Sequence, residues 1–404
     1  MGYKSVEALR VFLNFGGEQI HVGRMIMQMR RIWFEYEHGF LSGNLEISPF
    51  RLPLEAGVKH CDTEGFEGIH GVFYDSLPDG WGRLLLDRHI NKIGIHPQQL
   101  TALDRLAAVG NQGMGALCYE PEWRDDAHQE AFIDLYDMEK ATQDILEDVS
   151  SEQLLEALLR LNGSSQGARP KIVVSISPDK TQIRASGASP QNWEQWLIKF
   201  RSTQDLADNG PIEFAYSLMA KQAGLDMPPT HLFHDRYFGV KRFDHEGQNR
   251  HHIHTLAGLL HANYRIPNLD YTEALKATYI LTKSAEALQH HFRLAAFNVL
   301  SHNRDDHSKN TSYKLTALGQ WKLAPAYDLT FSFGPGGEQS MTVVGEGKNP
   351  TRKHLLTLGQ RLDVQNPGTV IDQVQDAVSQ WPSIANRVGV TRSSIQLISS
   401  YLML

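Results

Sequence analysis

Apolar and polar positions alternate along residues 11–53, most clearly in "VFLNFGGEQIHVGRMIMQMRRIWFEYEHGFLSG", and Gly16-Gly17 supplies a turn signal inside the run. Short strands forming a small N-terminal sheet are expected there. The period then lengthens. Residues 85–93 and 102–108 repeat their apolar positions at helical spacing, and "PDGWG" at 78–82 marks the loop before them. Acidic residues at 120–126 lead to two more helices, near 138–146 and 151–161, the second opened by a Ser-Ser-Glu cap.

After Leu161 the texture becomes a glycine-containing loop and then three strands, "GSSQGARPKIVVSIS", "TQIRAS" and "WLIKF", with a Pro178-Asp179 turn between the first two. A helix over 212–223 is followed by strands "THLFH" and "YFGVKRF". Beyond Leu269 the pattern is mostly helical, with long segments at 271–281 and 285–300. A hairpin interrupts them in "TSYKLTALGQWKLAPAYDL", where Leu318-Gly319 makes the turn. No internal repeat or low-complexity segment stands out. The order is a mixed N-terminal part, a β-rich part and a helical part, so the expected fold class is α+β, with boundaries at 1–125, 126–244 and 245–404.

With 404 residues, 41% hydrophobic and 21% charged, the chain falls in the globular range and is long enough for more than one lobe. A net charge of −7 argues against coating nucleic acid by general electrostatics, which needs many lysines and arginines. Only Cys61 and Cys118 occur, far apart and in no metal-type spacing, which suits a reducing compartment. No apolar run is long enough to span a bilayer, and residues 1–15 lack a basic segment followed by a signal-type apolar core. The expected location is the cytoplasm, with no membrane partner.

The strongest chemical signal is "SHNRDDHSKN" at 301–310, which closes the apolar helical run "RLAAFNVL". Kinase-type phosphoryl transfer needs an Asp to accept the acceptor hydroxyl's proton and an Asn on the same loop to hold metal. Asp305 fits the base and Asn310 the ligand, with Lys309 placed to steady the transferring phosphate. Asp306, one residue out of register, is the alternative base. A second metal ligand should follow on a nearby hairpin, and "WKLAPAYDL" provides Asp328, with Tyr-Asp-Leu where protein kinases carry Asp-Phe-Gly.

Upstream, Gly163, Ser164, Ser165, Gln166 and Gly167 precede a strand, where glycines let backbone amides approach phosphate oxygens. The alternative is a plain helix-to-strand linker. Lys199 in "WLIKF" is a lone charge in an apolar strand; a phosphate would satisfy it, and so would snorkelling at the strand edge. Glu213 opens the next helix, either to pair with Lys199 or to answer the helix dipole. "GVKRF" at 239–243 lies where an interlobe linker would meet adenine. Glycine loop, strand lysine, helix glutamate, linker, Asp-x-x-x-x-Asn and strand Asp occur in the order that a two-lobed kinase requires.

These residues resemble the HipA family of bacterial toxin kinases over nearly the whole chain. "NRDDHSKN" and "LAPAYDLT" are similar to that family's catalytic loop and metal motif, and "FYDSLPDGWGRLLL" and "LAAVGNQGMGALCYEP" to its N-terminal subdomain. The resemblance implies a two-lobed, protein-kinase-like fold with an N-terminal subdomain. It further implies ATP and Mg²⁺ as cofactors, Lys199 at the ATP phosphates, Lys241, Arg242 and Phe243 at the adenine linker, Asp305 as base, and Asn310 and Asp328 on the metal. Self-phosphorylation would fall on Ser164 or Ser165, drawing the glycine loop out of the nucleotide site. Implied partners are a HipB-like helix-turn-helix antitoxin, operator DNA through that antitoxin, and a protein substrate of the aminoacyl-tRNA synthetase type whose phosphorylation arrests growth. The chain departs from the family in Gly167-Ala168-Arg169-Pro170-Lys171, where Gly-Ala-Gln-x-Lys is usual, and in Thr255-Leu256, where an acidic pair is common.

Competing readings are a metal-dependent hydrolase built on Asp305, Asp306 and His307, a small-molecule phosphotransferase, and a degenerate kinase acting as a co-repressor scaffold. The histidines at 251, 252, 254, 290 and 291 raise a transition-metal site as a further alternative, although adjacent histidines on one element point in different directions.

Overall fold

A computed structural model describes residues 5–17, 19–123, 132–149, 151–162, 167–185, 192–203, 205–247 and 249–403. The chain divides into two compact units. The first comprises Met1–Asp205, Gly239–Ile253 and Ala317–Gly319, and the second Leu206–Phe238, His254–Thr316 and Gln320–Leu404.

The first unit opens on a five-stranded antiparallel sheet of Ala8–Asn14, Gln19–Gln28, Arg31–Tyr36, Val58–His60 and Leu117–Glu120, with Ala8–Asn14 between Gln19–Gln28 and Leu117–Glu120. The period-two pattern has its expected physical result: Leu9, Val11 and Leu13 face the core while their neighbours point outward. Strand structure stops at Tyr36, however, and 38–41 form a single helical turn. Gly39, Gly43, Pro49 and Pro53 explain why the alternation expected up to 53 does not continue as sheet. Helix Ala102–Val109 is buried on every side and begins in a reciprocal capping box between Thr101 and Asp104.

A second sheet includes Lys171–Ile176, all six residues of which are buried, flanked antiparallel by Ile183–Ala185 and Glu194–Lys199. Helix Glu152–Asn162 leads into it and buries Leu155, Leu158, Leu159 and Leu161, a spacing set by 3.6 residues per turn. Both cysteines are free and buried.

The second unit is mainly helical. Helix Asn209–Gln222 starts earlier than its apolar pattern indicates because Pro211 falls in the first turn, where its missing N–H costs nothing. Tyr271–Thr282 starts from a capping box between Asp270 and Glu273, and Ala285–Leu300 buries its last seven residues. Four more helices follow: Arg352–Arg361, Pro367–Ser379, Trp381–Arg387 and Arg392–Ser399. Tyr216, Phe297 and Trp381 meet edge-on in the core of this unit. The hairpin Ser312–Leu315 with Trp321–Leu323 forms as its sequence indicates, with Gly319 in the left-handed region that its turn requires. No helix among the described residues is long and apolar enough to cross a membrane.

Candidate functional site

The helix Ala285–Leu300 delivers the chain to the candidate catalytic loop. Its exit is fixed by the Tyr216 hydroxyl, which donates to the Ser301 carbonyl at 2.7 Å, and His302 then turns the chain in the left-handed region. From there the loop runs beside the segment that follows Asp328. Asn303 and Ser332 form a parallel bridge, and Ser332 N–H donates to His302 O at 3.1 Å. The Arg304 guanidinium reaches the carbonyls of Gly337 and Lys348, while its own carbonyl accepts from Ser340 N–H at 3.1 Å and Ser340 Oγ at 3.0 Å. Gly334 lies at φ 70°, and a Cβ there would stand 2.6 Å from Arg304 Cβ. Only glycine fits.

Adjacent carboxylates on this loop have opposite environments. The Asp305 side chain is 57% exposed, with His307 Nε2 at 4.0 Å. Asp306 is 1% exposed and accepts from Tyr271, Gln339, Ser340 and Met341, so it faces the interior. Burial pushes its carboxyl up to about 7 despite these donors. Of the two adjacent carboxylates, only Asp305 faces solvent.

Asn310 donates through Nδ2 to the Asp305 carbonyl at 2.8 Å, which fixes the amide with its oxygen turned off the loop backbone. Asp328 stands in the left-handed region at φ 56°, which Asp tolerates better than most residues, and is partly buried. Its neighbour Tyr327 brings it to the loop. The Tyr327 hydroxyl donates to Lys309 O at 2.5 Å, leaving Ser312 Oγ, also 2.5 Å away, to donate to the phenol oxygen. Lys309 is buried, its ammonium 4.5 Å from the centre of the Tyr264 ring. Asn310 is thus tied to Asp305, and Tyr327 ties the segment preceding Asp328 to Lys309. Glu213 is buried in the first turns of its helix, where Asn209 Nδ2 donates to Oε1 at 3.3 Å.

In the first unit, Gly163, Ser164, Ser165 and Gln166 lie outside the described residues, but both flanks of the glycine loop are placed. Gly167, at φ 103°, donates its N–H to Asp79 Oδ1 at 2.6 Å, and its carbonyl accepts from Trp81 N–H at 3.0 Å. The "PDGWG" loop therefore grips the end of the glycine loop. Gly80 is in the left-handed region at φ 43°, and a Cβ on it would come within 2.5 Å of the Gly167 oxygen.

Lys199 is partly buried and pairs directly with Lys171 across antiparallel strands, so the two side chains share one face of the sheet. Lys171 is 4% exposed, with its ammonium close over Gly167: a Cβ there would be 2.4 Å from Nζ. Sequence reasoning singled out only Lys199. The like-charge pair emerges from strand register, which no local motif reveals.

The linker residues divide. Lys241 forms an ion pair with Glu194 at 2.6 Å, and Phe243 is partly buried. Arg242 is buried, gives Nε and Nη2 to Asp244 at 2.9 and 2.5 Å, and donates its N–H to Gln195 O at 2.8 Å. Its side chain and N–H are engaged inside the unit, which confines any nucleotide contact by Arg242 to its carbonyl. Asp244 also accepts from Gly115 N–H at 2.7 Å, and Arg250 donates to the carbonyls of Asn111, Gly113 and Gly115. This clamp on the 111–115 loop was not visible in the sequence.

The histidine clusters are engaged by the fold. His252 is bonded to Ile47 O at 3.0 Å; His291 is bonded to Thr278 at 2.6 Å, and burial lowers its pKa to about 3.

The arrangement is that of an α+β protein with a HipA-like fold. A solved HipA, HipB and operator DNA complex from the toxin–antitoxin system of Shewanella oneidensis MR-1 contains a chain similar over 97% of this chain and 94% of that one, with TM-score 0.67 and 18% identity. The Helicobacter pylori proinflammatory kinase CtkA is similar over 51% of this chain and 92% of its own, with 12% identity and TM-score 0.33. Residues 163–381 match the HipA-like C-terminal domain and residues 11–120 the HipA N-terminal domain. The chain belongs to the HipA family.

Proposed function

We propose that this chain is the kinase toxin of a toxin–antitoxin pair, transferring the γ-phosphoryl group of ATP to a serine or threonine of a cellular protein. The observation that carries the reading is the Tyr327 hydroxyl, which joins the segment bearing Asp328 to the loop bearing Asp305 and Asn310. The reading takes the exposed Asp305 carboxylate, the Asn310 amide and the Asp328 carboxylate as one set, the set that in-line phosphoryl transfer uses.

The donor set fits magnesium, since the Asn310 amide oxygen and the Asp328 carboxylate are hard oxygen ligands. Bound there, the ion would neutralise charge on the phosphate oxygens. Asp305 accepts the proton of the attacking hydroxyl as oxygen bonds to the γ-phosphorus, and ADP leaves with the former bridging oxygen. In the first unit, Lys171 and Lys199 stand opposite each other on neighbouring strands, and a polyphosphate is a group both could serve. Residues 1–125 would form the N-terminal subdomain, 126–244 the nucleotide lobe and 245–404 the catalytic lobe. Self-phosphorylation at Ser164 or Ser165, a HipB-like antitoxin carrying operator DNA, and an aminoacyl-tRNA synthetase substrate complete the proposal.

The test is incubation of the purified full chain with γ-labelled ATP, Mg²⁺ and a cell extract, followed by mapping of labelled peptides. Labelled protein that disappears in Asp305→Asn and Asp328→Ala, with both variants still folded, is the expected result. Release of inorganic phosphate alone points to a hydrolase, and a labelled metabolite to a small-molecule phosphotransferase. Repression and growth effects unchanged in Asp328→Ala indicate a scaffold.

A further inference from the structure

Asp306 is too deeply buried to touch a substrate, yet its carboxylate gathers four hydrogen bonds. Its Oδ2 accepts from the Tyr271 hydroxyl at 2.7 Å and Gln339 Nε2 at 3.0 Å; its Oδ1 accepts from the N–H groups of Ser340 at 2.9 Å and Met341 at 3.4 Å. The network continues behind it. Tyr271's oxygen accepts from Asn298 Nδ2 at 3.0 Å, and Asn298 Oδ1 accepts from Asn303 Nδ2 at 3.0 Å. Residues 303 and 306 are therefore both anchored, one to the preceding helix and one to the 339–341 segment, with Asp305 between them.

We propose that Asp306 is a positioning residue: its buried carboxylate latches the Asp305 loop to segment 339–341 and so sets where the base stands. The activity part of this proposal rests on the kinase reading; the latch itself does not. Asp305 shares its backbone with residues tied down on both sides, Asn303 and Asp306, so where those anchors hold the loop is where the Asp305 carboxylate stands. Asp306 is the residue next to it with bonds to two separate elements: helix Tyr271–Thr282 and the segment 339–341, through the Gln339 side chain and the N–H groups of 340 and 341. A loop displaced by about 1 Å costs on the order of a hundredfold in rate.

The test compares the full chain with Asp306→Ala and Asp306→Asn by amide hydrogen exchange and by steady-state transfer from labelled ATP. In Asp306→Ala, protection at Ser340 and Met341 is expected to fall at least about tenfold, while helix Ala285–Leu300 keeps its protection and reports that the variant is folded. The kcat should fall about a hundredfold with KM for ATP within about twofold, since the loop and not the nucleotide contacts has moved. Asp306→Asn keeps one acceptor oxygen and should restore most of the protection and part of kcat. Unchanged exchange at 340 and 341 in the alanine variant overturns the latch. Lost protection with kcat within twofold of the parent overturns its role in placing the base. A parent chain that transfers no phosphate removes the kinase reading instead, and the exchange result then decides the latch on its own.

Discussion

Replacing Asp244 by Ala should unfold the first unit's clamp at a cost that can be worked from its contacts. The carboxylate is fully buried and accepts both Nε and Nη2 of Arg242 and the N–H of Gly115. Truncation leaves the Arg242 guanidinium, itself only 5% exposed, without a counter-ion, and a second buried guanidinium, Arg250, lies in the same cluster. Breaking a buried pair from one side costs about 3–5 kcal/mol, mostly the penalty of the charge left behind. The orphaned Gly115 N–H alone would cost about 1–3 kcal/mol, and the two losses overlap because both follow from one missing group. A net loss of about 4 kcal/mol is expected, a large part of the 5–15 kcal/mol that typically holds a domain together.

Urea unfolding followed by tryptophan fluorescence reads this out, because five of the seven tryptophans lie in the first unit. Asp244→Asn, which can still accept from Gly115, should lose less, and replacing Arg242 and Asp244 together by Leu should recover most of the loss. A decrease below about 1 kcal/mol in Asp244→Ala refutes the argument. The pH dependence has a definite sign. Arg242 holds the Asp244 carboxyl below its ordinary value of 3.8, against the opposing effect of burial. Its contribution is therefore present above pH ~4 and lost as pH falls below the unfolded value.

Two further perturbations probe the candidate site. Gly80→Ala forces a Cβ to within 2.5 Å of the Gly167 carbonyl at a left-handed φ of 43°; ATP affinity measured by calorimetry should drop about tenfold, and unchanged affinity would separate the "PDGWG" loop from the nucleotide site. Tyr327→Phe removes the donor to Lys309 O and the acceptor for Ser312 Oγ, so kcat in the labelled-ATP assay should fall about tenfold while nucleotide affinity stays constant, and an unaltered kcat would free Asp328's placement from that hydroxyl.

Local pattern was legible in the sequence wherever a single element determined it. The alternation beginning at residue 11, the helix start at Ser151, whose Oγ accepts from Leu154 N–H, and the left-handed Gly319 are all written within a few residues of where they act. The turn at Met29-Arg30 was not, because both residues take positive φ without the Asn or Gly that normally announces it. Distant partnerships were equally silent. Asp79 with Gly167, Lys171 with Lys199, and Asp244 with Gly115 join segments 88, 28 and 129 residues apart, and their residue types suit many other roles. The "PDGWG" and "VGNQGMGAL" runs stood out as motifs, yet the reason for their glycines lies in what packs against them.

Asp305 and Asp306 show how far such reasoning reaches. Sequence alone offers two carboxylates of identical chemistry one residue apart, and spacing to Asn310 favours the first by a margin of register only. The structure separates them by environment: one side chain in solvent, the other under four donors drawn from Tyr271, Gln339, Ser340 and Met341. Because successive side chains in an extended loop point in opposite directions, anchoring one inward presents the other outward. A loop that must hold an exposed base still has reason to carry a second acid next to it. On this view the doubled Asp is a division of labour, and exchanging the two environments should be impossible without rebuilding both the 271–282 helix start and the 339–341 segment.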